Sequence, residues 1–184
     1  MNYATIKKFD IANGPGVRVS LFVSGCRHHC KNCFNKEAWD FNYGEPMTVE
    51  IEESILDACK AEHITGLSLL GGEPFEKENR AALTELTKKF RSLYPEKNIW
   101  CYTGFLLDDE LIKSGEEDAL ELLGNIDVLV DGRFVEELKN PALLFRGSSN
   151  QRIIDVPETL KKGEVVLLPG KWERTMGSGD IYEI

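Results

Sequence analysis

Four short apolar runs, each closing on glycine and separated by segments of helical period, constrain this chain more than any other feature. Val17 to Val23 sets Val17, Val19, Leu21 and Val23 on one face and Arg18 and Ser20 on the other, and stops at Ser24-Gly25. Gly66 to Leu70 stops at Gly71-Gly72, Asn98 to Thr103 at Gly104, and Ile126 to Val130 at Asp131-Gly132. Between them, Thr48 reads as an N-cap before Ile51, Ile55, Leu56 and Cys59, which share one helical face. Ala82, Leu83, Leu86 and Phe90 mark a second helix, and Asp108 to Leu123 is helical in composition but broken near Gly115. Strands alternating with helices predict βαβ units and a parallel sheet, so the expected class is α/β. A closed eightfold barrel takes roughly 250 residues. The 184 present supply about five or six βα units, which predicts a partial (β/α) barrel of parallel strands with an open side.

Ligands of such folds bind at the carboxyl ends of the strands. The segments after the strands are therefore expected to converge: the cysteine-bearing loop, Gly71-Gly72-Glu73-Pro74, Thr103-Gly104 and Asp131-Gly132. Beyond Pro157 the pattern weakens. Residues 1–155 are taken as the partial-barrel domain and residues 156–184 as a C-terminal extension packed on it or trailing from it, with room for one added strand at Glu164 to Leu168 and a Gly- and Ser-containing end from Met176 to Asp180.

A formal charge of -9 argues against wrapping a nucleic-acid backbone. Residues 1 to 40 carry six basic and three acidic groups, so any positive surface lies near the N-terminus. No apolar stretch approaches membrane-spanning length, which excludes a membrane helix. No apolar core of a signal peptide follows Lys7 and Lys8, and a cytoplasmic protein is expected.

Three of the five cysteines, Cys26, Cys30 and Cys33, fall within eight residues as C-x3-C-x2-C directly after a strand. In a reducing compartment such clustering points to metal or redox chemistry, not to a disulfide framework. Three thiolates are one fewer than a closed zinc site or an ordinary electron-transfer [4Fe-4S] cluster uses. A cubane held by three cysteines keeps one iron open to a substrate. The other reading is a Cys3His zinc knot closed by His28 or His29, both of which lie inside the loop. Cys59 and Cys101, on a helix face and a strand, read as core.

The triplet closing a strand, Phe34 after the last cysteine and Gly71-Gly72-Glu73-Pro74 about forty residues on together resemble the radical S-adenosylmethionine superfamily. Further segments extend the likeness: Asp10-x2-Asn13-Gly14-Pro15-Gly16-x-Arg18, Ser24-Gly25-Cys26, Cys33-Phe34-Asn35-Lys36, Trp39, Leu129-Val130-Asp131-Gly132 and Arg146-Gly147-Ser148-Ser149-Asn150-Gln151. Within the superfamily these are similar to the family of activating proteins of anaerobic ribonucleoside-triphosphate reductase, over residues 1 to about 152. The Asn-Gly-Pro-Gly stretch is shared with other glycyl-radical activases. Asn32 stands where many members place an aromatic residue.

The resemblance implies a radical oxidoreductase with two cofactors, a [4Fe-4S] cluster and S-adenosyl-L-methionine. Cys26, Cys30 and Cys33 would hold the cluster. Asn32, Cys33, Phe34 and Gly72 would contact S-adenosylmethionine, Gly72 through its carbonyl, with Glu73 adding negative charge near the methionyl amine. One electron from the reduced cluster would break the sulfonium C–S bond and give a 5'-deoxyadenosyl radical, so no side chain is assigned as acid or base. The implied partners are the reductase, as the protein whose glycine loses its Cα hydrogen, and a low-potential electron donor such as flavodoxin. A target of the pyruvate formate-lyase type, or a non-catalytic zinc module, is the alternative. Arg18 is read as a solvated strand-face residue, Asp131 as a turn residue before a ribose ligand, and Arg146 to Gln151 as a polar loop or a partner contact.

Overall fold

The computed structural model describes residues 1–173. Its framework is one seven-stranded sheet in the order β3-β1-β2-β4-β5-β6-β7. The strands are β1 (Asn2–Asp10), β2 (Val17–Val23), β3 (Glu45–Pro46), β4 (Ile64–Gly71), β5 (Asn98–Tyr102), β6 (Val128–Asp131) and β7 (Arg152–Asp155). Helices α1 (Val49–Cys59), α2 (Lys77–Leu93), α3 (Glu117–Leu123) and α4 (Val156–Lys162) join or follow them.

The four glycine-terminated runs form the centre of the sheet. β2 pairs in parallel with β4, β4 with β5, and β5 with β6. They are buried almost throughout, as central parallel strands covered on both faces must be. The parallel expectation holds for these four alone, because β1, β3 and β7 pair antiparallel at the margins. The sheet is open, ending on β3 and β7.

Thr48 caps α1 as its sequence position requires, its hydroxyl accepting from the Ile51 amide at 3.4 Å. The expected break near Gly115 separates a π-helical turn, Leu107–Ile112, from α3. One core cluster unites Val19, Leu21, Leu67, Leu69, Ile99 and Leu129 with the apolar faces of α1, α2 and α3, so these helices cover one face of the sheet. The other face carries Trp100, Val128, Val130 and Ile153, packed against Tyr102, Phe145, Leu168 and Trp172. The run at Glu164 to Leu168 returns beside β7 as a single bridge, Ile154 with Leu167, supported by the Leu168 amide on the Ile153 carbonyl at 2.9 Å. The segment from Met176 to Asp180 lies outside the described residues.

Arg18 departs from expectation. It is fully buried, donating to Ser68 Oγ at 2.7 Å and to the carbonyls of Leu67 at 2.9 Å, Asn98 at 3.1 Å and Pro15 at 3.3 Å. Its guanidinium also lies 5.8 Å from the Trp100 ring centroid. The Asn13-Gly14-Pro15-Gly16 turn folds over this face, with the Asn13 carbonyl accepting from Ser68 Oγ at 2.6 Å, and so removes the solvent that strand alternation alone would leave there.

Candidate iron–sulfur and cofactor site

The segments after β2, β4, β5 and β6 converge on one open cleft of about 520 Å³. All six residues singled out for cofactors line it: Cys26, Cys30, Asn32, Cys33, Phe34 and Gly72. Ile11 to Asn13 and Leu143 to Gly147 supply further wall. Parallel strands end on the same side of a sheet, which is why loops so distant in sequence meet.

Cys26 is buried, whereas Cys30 and Cys33 are half-buried. Burial pushes the Cys26 thiol up to about 12, opposed by the amides of His28 and His29. Burial also raises Cys30, and the Phe134 amide pulls it back. The Asn35 amide faces Cys33 Sγ at 3.4 Å. Each sulfur thus has a backbone N–H aimed at it, the donor arrangement that favours bound thiolates. Among the described residues no three His, Cys, Asp or Glu side chains are gathered into a metal-holding group as they stand. Cys26, Cys30 and Cys33 follow one another along one irregular loop. The donor set, soft thiolates supported by amides, fits an iron–sulfur cluster. The two remaining cysteines, Cys59 and Cys101, are sealed in the core as expected.

Asn32 has φ 57°, in the left-handed region that asparagine tolerates better than an aromatic residue does. Phe34 is 88 % exposed at the cleft. Gly72 is pinned by its amide to the Val23 carbonyl at 2.7 Å, and a Cβ there would stand 2.5 Å from the Gly25 carbonyl oxygen. Only glycine lets the turn lie this close to the start of the cysteine loop.

Sequence reasoning understated Glu73. Its carboxylate is buried and saturated: Oε1 accepts from the Phe75 amide at 2.9 Å and Thr103 Oγ1 at 2.7 Å, and Oε2 meets the Gly104 amide at 2.7 Å and His28 Nε2 at 2.9 Å. His28 packs edge-on against Phe105 at 4.5 Å between ring centroids, and His29 stacks on Trp39 at 4.5 Å. Both histidines that a zinc knot would have drawn on are engaged elsewhere.

Asp131 is likewise structural. Its carboxylate is buried, pairs with Arg152 and accepts from the Leu107 amide at 2.9 Å. Arg146 to Gln151 folds on itself, Arg146 Nη1 donating to the Gln151 carbonyl at 2.8 Å, while Gln151 Nε2 holds the Gly132 carbonyl at 2.9 Å. Arg146, Gly147 and Gln151 still line the cleft.

The open α/β sheet carries a cysteine-triplet loop at its strand ends, and residues 12–154 match the family described as "4Fe-4S single cluster domain", which makes this an iron–sulfur domain protein. That match sets the zinc reading aside. The chain is 42 % identical over 153 residues to the anaerobic ribonucleoside-triphosphate reductase-activating protein of Escherichia coli K12, covering 82 % of this chain and 96 % of the relative. The proteins of the same name from Vibrio cholerae and Enterobacteria phage T4 are 41 % and 38 % identical, each over 83 % of this chain and over 97 % and 93 % of the relative. The chain belongs to the family of anaerobic ribonucleoside-triphosphate reductase-activating proteins.

Proposed function

We propose that this protein activates an anaerobic ribonucleoside-triphosphate reductase by installing a glycyl radical on it, as a radical S-adenosylmethionine oxidoreductase. One observation carries the reading: the three clustered cysteines and the Gly72 turn share one open cleft, with the remaining cysteines buried away from it. Cys26, Cys30 and Cys33 would hold the [4Fe-4S] cluster, and the backbone at Asn32, Cys33 and Phe34 together with Gly72 would seat S-adenosyl-L-methionine. The bound pair supplies a low-potential electron and a 5'-deoxyadenosyl radical; the chain's residues bind, orient and shield. Held as thiolates, the three sulfurs would face the amides of His28, His29, Asn35 and Phe134, which would stabilise their negative charge.

The sheet order supports reading the fold as the partial barrel of this superfamily. β2, β4, β5 and β6 follow one another without reversal, and α1 to α3 pack on a single face, leaving the other face to the cleft and the Trp100 cluster. Residues 1–155 would form that barrel and 156–184 its extension. A protein substrate suits an open cleft at which Ile11 and Phe34 stand 76 % and 88 % exposed, since large bare apolar side chains beside a site commonly serve docking. The reductase is the proposed partner and a flavodoxin-type protein the proposed electron donor. Cytoplasmic location accords with both; among the described residues no helix is long and apolar enough to cross a membrane.

The test is anaerobic reconstitution with iron and sulfide, followed by EPR. The expected result is a reducible cluster whose signal changes on adding S-adenosylmethionine, then a glycyl-radical doublet on mixing with the reductase, with deuterium from the target glycine appearing in 5'-deoxyadenosine. Stoichiometric zinc without such a response overturns the reading. A doublet obtained only with pyruvate formate-lyase reassigns the target.

A further inference from the structure

The segment from Arg27 to His29 has neither helix nor strand to hold it, yet it separates Cys26 from Cys30. Upstream, the loop is fastened by backbone bonds: Gly72 N–H to Val23 O at 2.7 Å, Glu73 N–H to Gly25 O at 2.8 Å and Gly25 N–H to Ala38 O at 2.8 Å. These end at the edge of Cys26. Past it, the Arg27 amide donates to the buried Glu76 carboxylate at 2.8 Å and fixes the first residue after Cys26, while the exposed Arg27 guanidinium on Glu78 and the solvated Lys31–Glu137 pair add little rigidity. His28 differs: its side chain is 6 % exposed and that of Glu73 1 %. The same carboxylate holds the Gly104 amide and Thr103 hydroxyl at the end of β5 and the Phe75 amide ahead of α2. A Cβ on Gly104 would lie 2.4 Å from His28 Cδ2, so the ring occupies a slot that only glycine leaves open.

We infer that His28 is a positioning residue, a latch that sets the Cys26–Cys30 segment at a fixed orientation to the Gly71-Gly72 turn through its bond to Glu73. The inference rests on the proposed function only in what the two elements bind. The latch is a property of the chain itself. A buried hydrogen bond to a fully satisfied carboxylate restricts orientation in a way that apolar packing of the same volume does not. His28 Nε2 acts through Glu73, and no role as a metal ligand or in proton transfer is assigned to it.

The test compares His28→Gln, whose side-chain amide can still donate to Glu73 Oε2, with His28→Leu, which fills the slot without a donor. In the full-length protein before reconstitution, amide exchange across residues 27–33 is expected to speed up at least about tenfold in His28→Leu, equivalent to about 1.4 kcal/mol of lost protection, and to stay within about twofold of the parent in His28→Gln. After reconstitution, the S-adenosylmethionine concentration giving half of the EPR change is expected to rise several-fold in His28→Leu and to recover in His28→Gln. Equal behaviour of the two variants, in either direction, overturns the latch, as does loss of bound iron in His28→Gln, which would make the imidazole itself a ligand. A parent protein with no S-adenosylmethionine response would refute the proposed function while leaving the exchange comparison intact.

Discussion

Arg18 shows how far a single side chain can depart from its sequence pattern. Strand alternation assigns it to the face opposite Val17, Val19 and Leu21, and that much is correct; what alternation cannot say is which layer lies on that face. The cover comes from the Asn13–Gly16 turn, which folds back over the strand it precedes, and from Trp100 on another strand. Glu73 is the converse case, visible as a charge next to two glycines but not as the acceptor of four donors drawn from three segments. That the cysteine loop and the Gly72 turn would meet at one cleft was legible because both follow parallel strands, and a glycine pair after a strand permits close approach. Burial lowers the Arg18 pKa to about 10, so the guanidinium stays charged at neutral pH and depends on its acceptors. Arg18→Met keeps the stem but removes every donor, leaving the carbonyls of Leu67 and Asn98 and the Ser68 hydroxyl short of a partner. The expected loss is about 1–3 kcal/mol, the cost of leaving buried acceptors unpaired, read as a lower urea midpoint with unchanged slope. A midpoint equal to the parent's would mean that the burial adds no net stability.

Among the elements, the parallel strands were readable and the marginal ones were not, for one physical reason. β2, β4, β5 and β6 lie under cover on both faces and so are written as mainly apolar runs, broken by Arg18 and Ser20 in β2 and by Ser68 in β4. β1 leaves Lys7, Lys8 and Phe9 exposed, and β7 is only four residues long, so neither shows a period; each is fixed by antiparallel pairing with a strand already in place. Helix starts were legible where a cap supplies a named chemistry. Thr48 satisfies the Ile51 amide, and Glu50 and Glu52 in the first turn complement the helix dipole. Thr48→Ala is therefore expected to cost about 1 kcal/mol. Thr48→Ser should recover most of it, and thermal denaturation of the three proteins side by side checks both statements. α1 carries none of the cleft residues, so reconstituted iron content should not change in either variant.

For the molecule as a whole, the decisive asymmetry is that helices cover one face of the sheet while the other is shared between the cleft and an aromatic cluster. Trp100 meets Phe145 at 5.5 Å and Trp172 at 5.9 Å between centroids, and Phe145 meets Trp172 at 6.0 Å. The chain thus comes back, beyond the sheet's last strand, to buttress the wall formed by Leu143 to Gly147. Two hydrogen bonds fix it there, one between main-chain groups, the Leu144 amide on the Trp172 carbonyl at 2.8 Å, and one from the side chain, Trp172 Nε1 on the Leu168 carbonyl at 3.0 Å. Sequence periodicity had no means of placing this return, because a lone tryptophan between Lys171 and Glu173 carries no period, and its ring partners Phe145 and Trp100 belong to segments much earlier in the chain. If the buttress holds the wall, Trp172→Ala should cost about 2–3 kcal/mol, less than for a fully enclosed tryptophan because the ring is only half-buried. The loss should be local before it is global. Exchange at the Leu144 amide is expected to accelerate under conditions where amides in β4 and β5 remain protected, since the latter belong to the helix-covered core. Uniform acceleration across β4, β5 and Leu144 would instead make Trp172 part of the single cooperative core, and the cleft wall would then be as rigid as the sheet behind it.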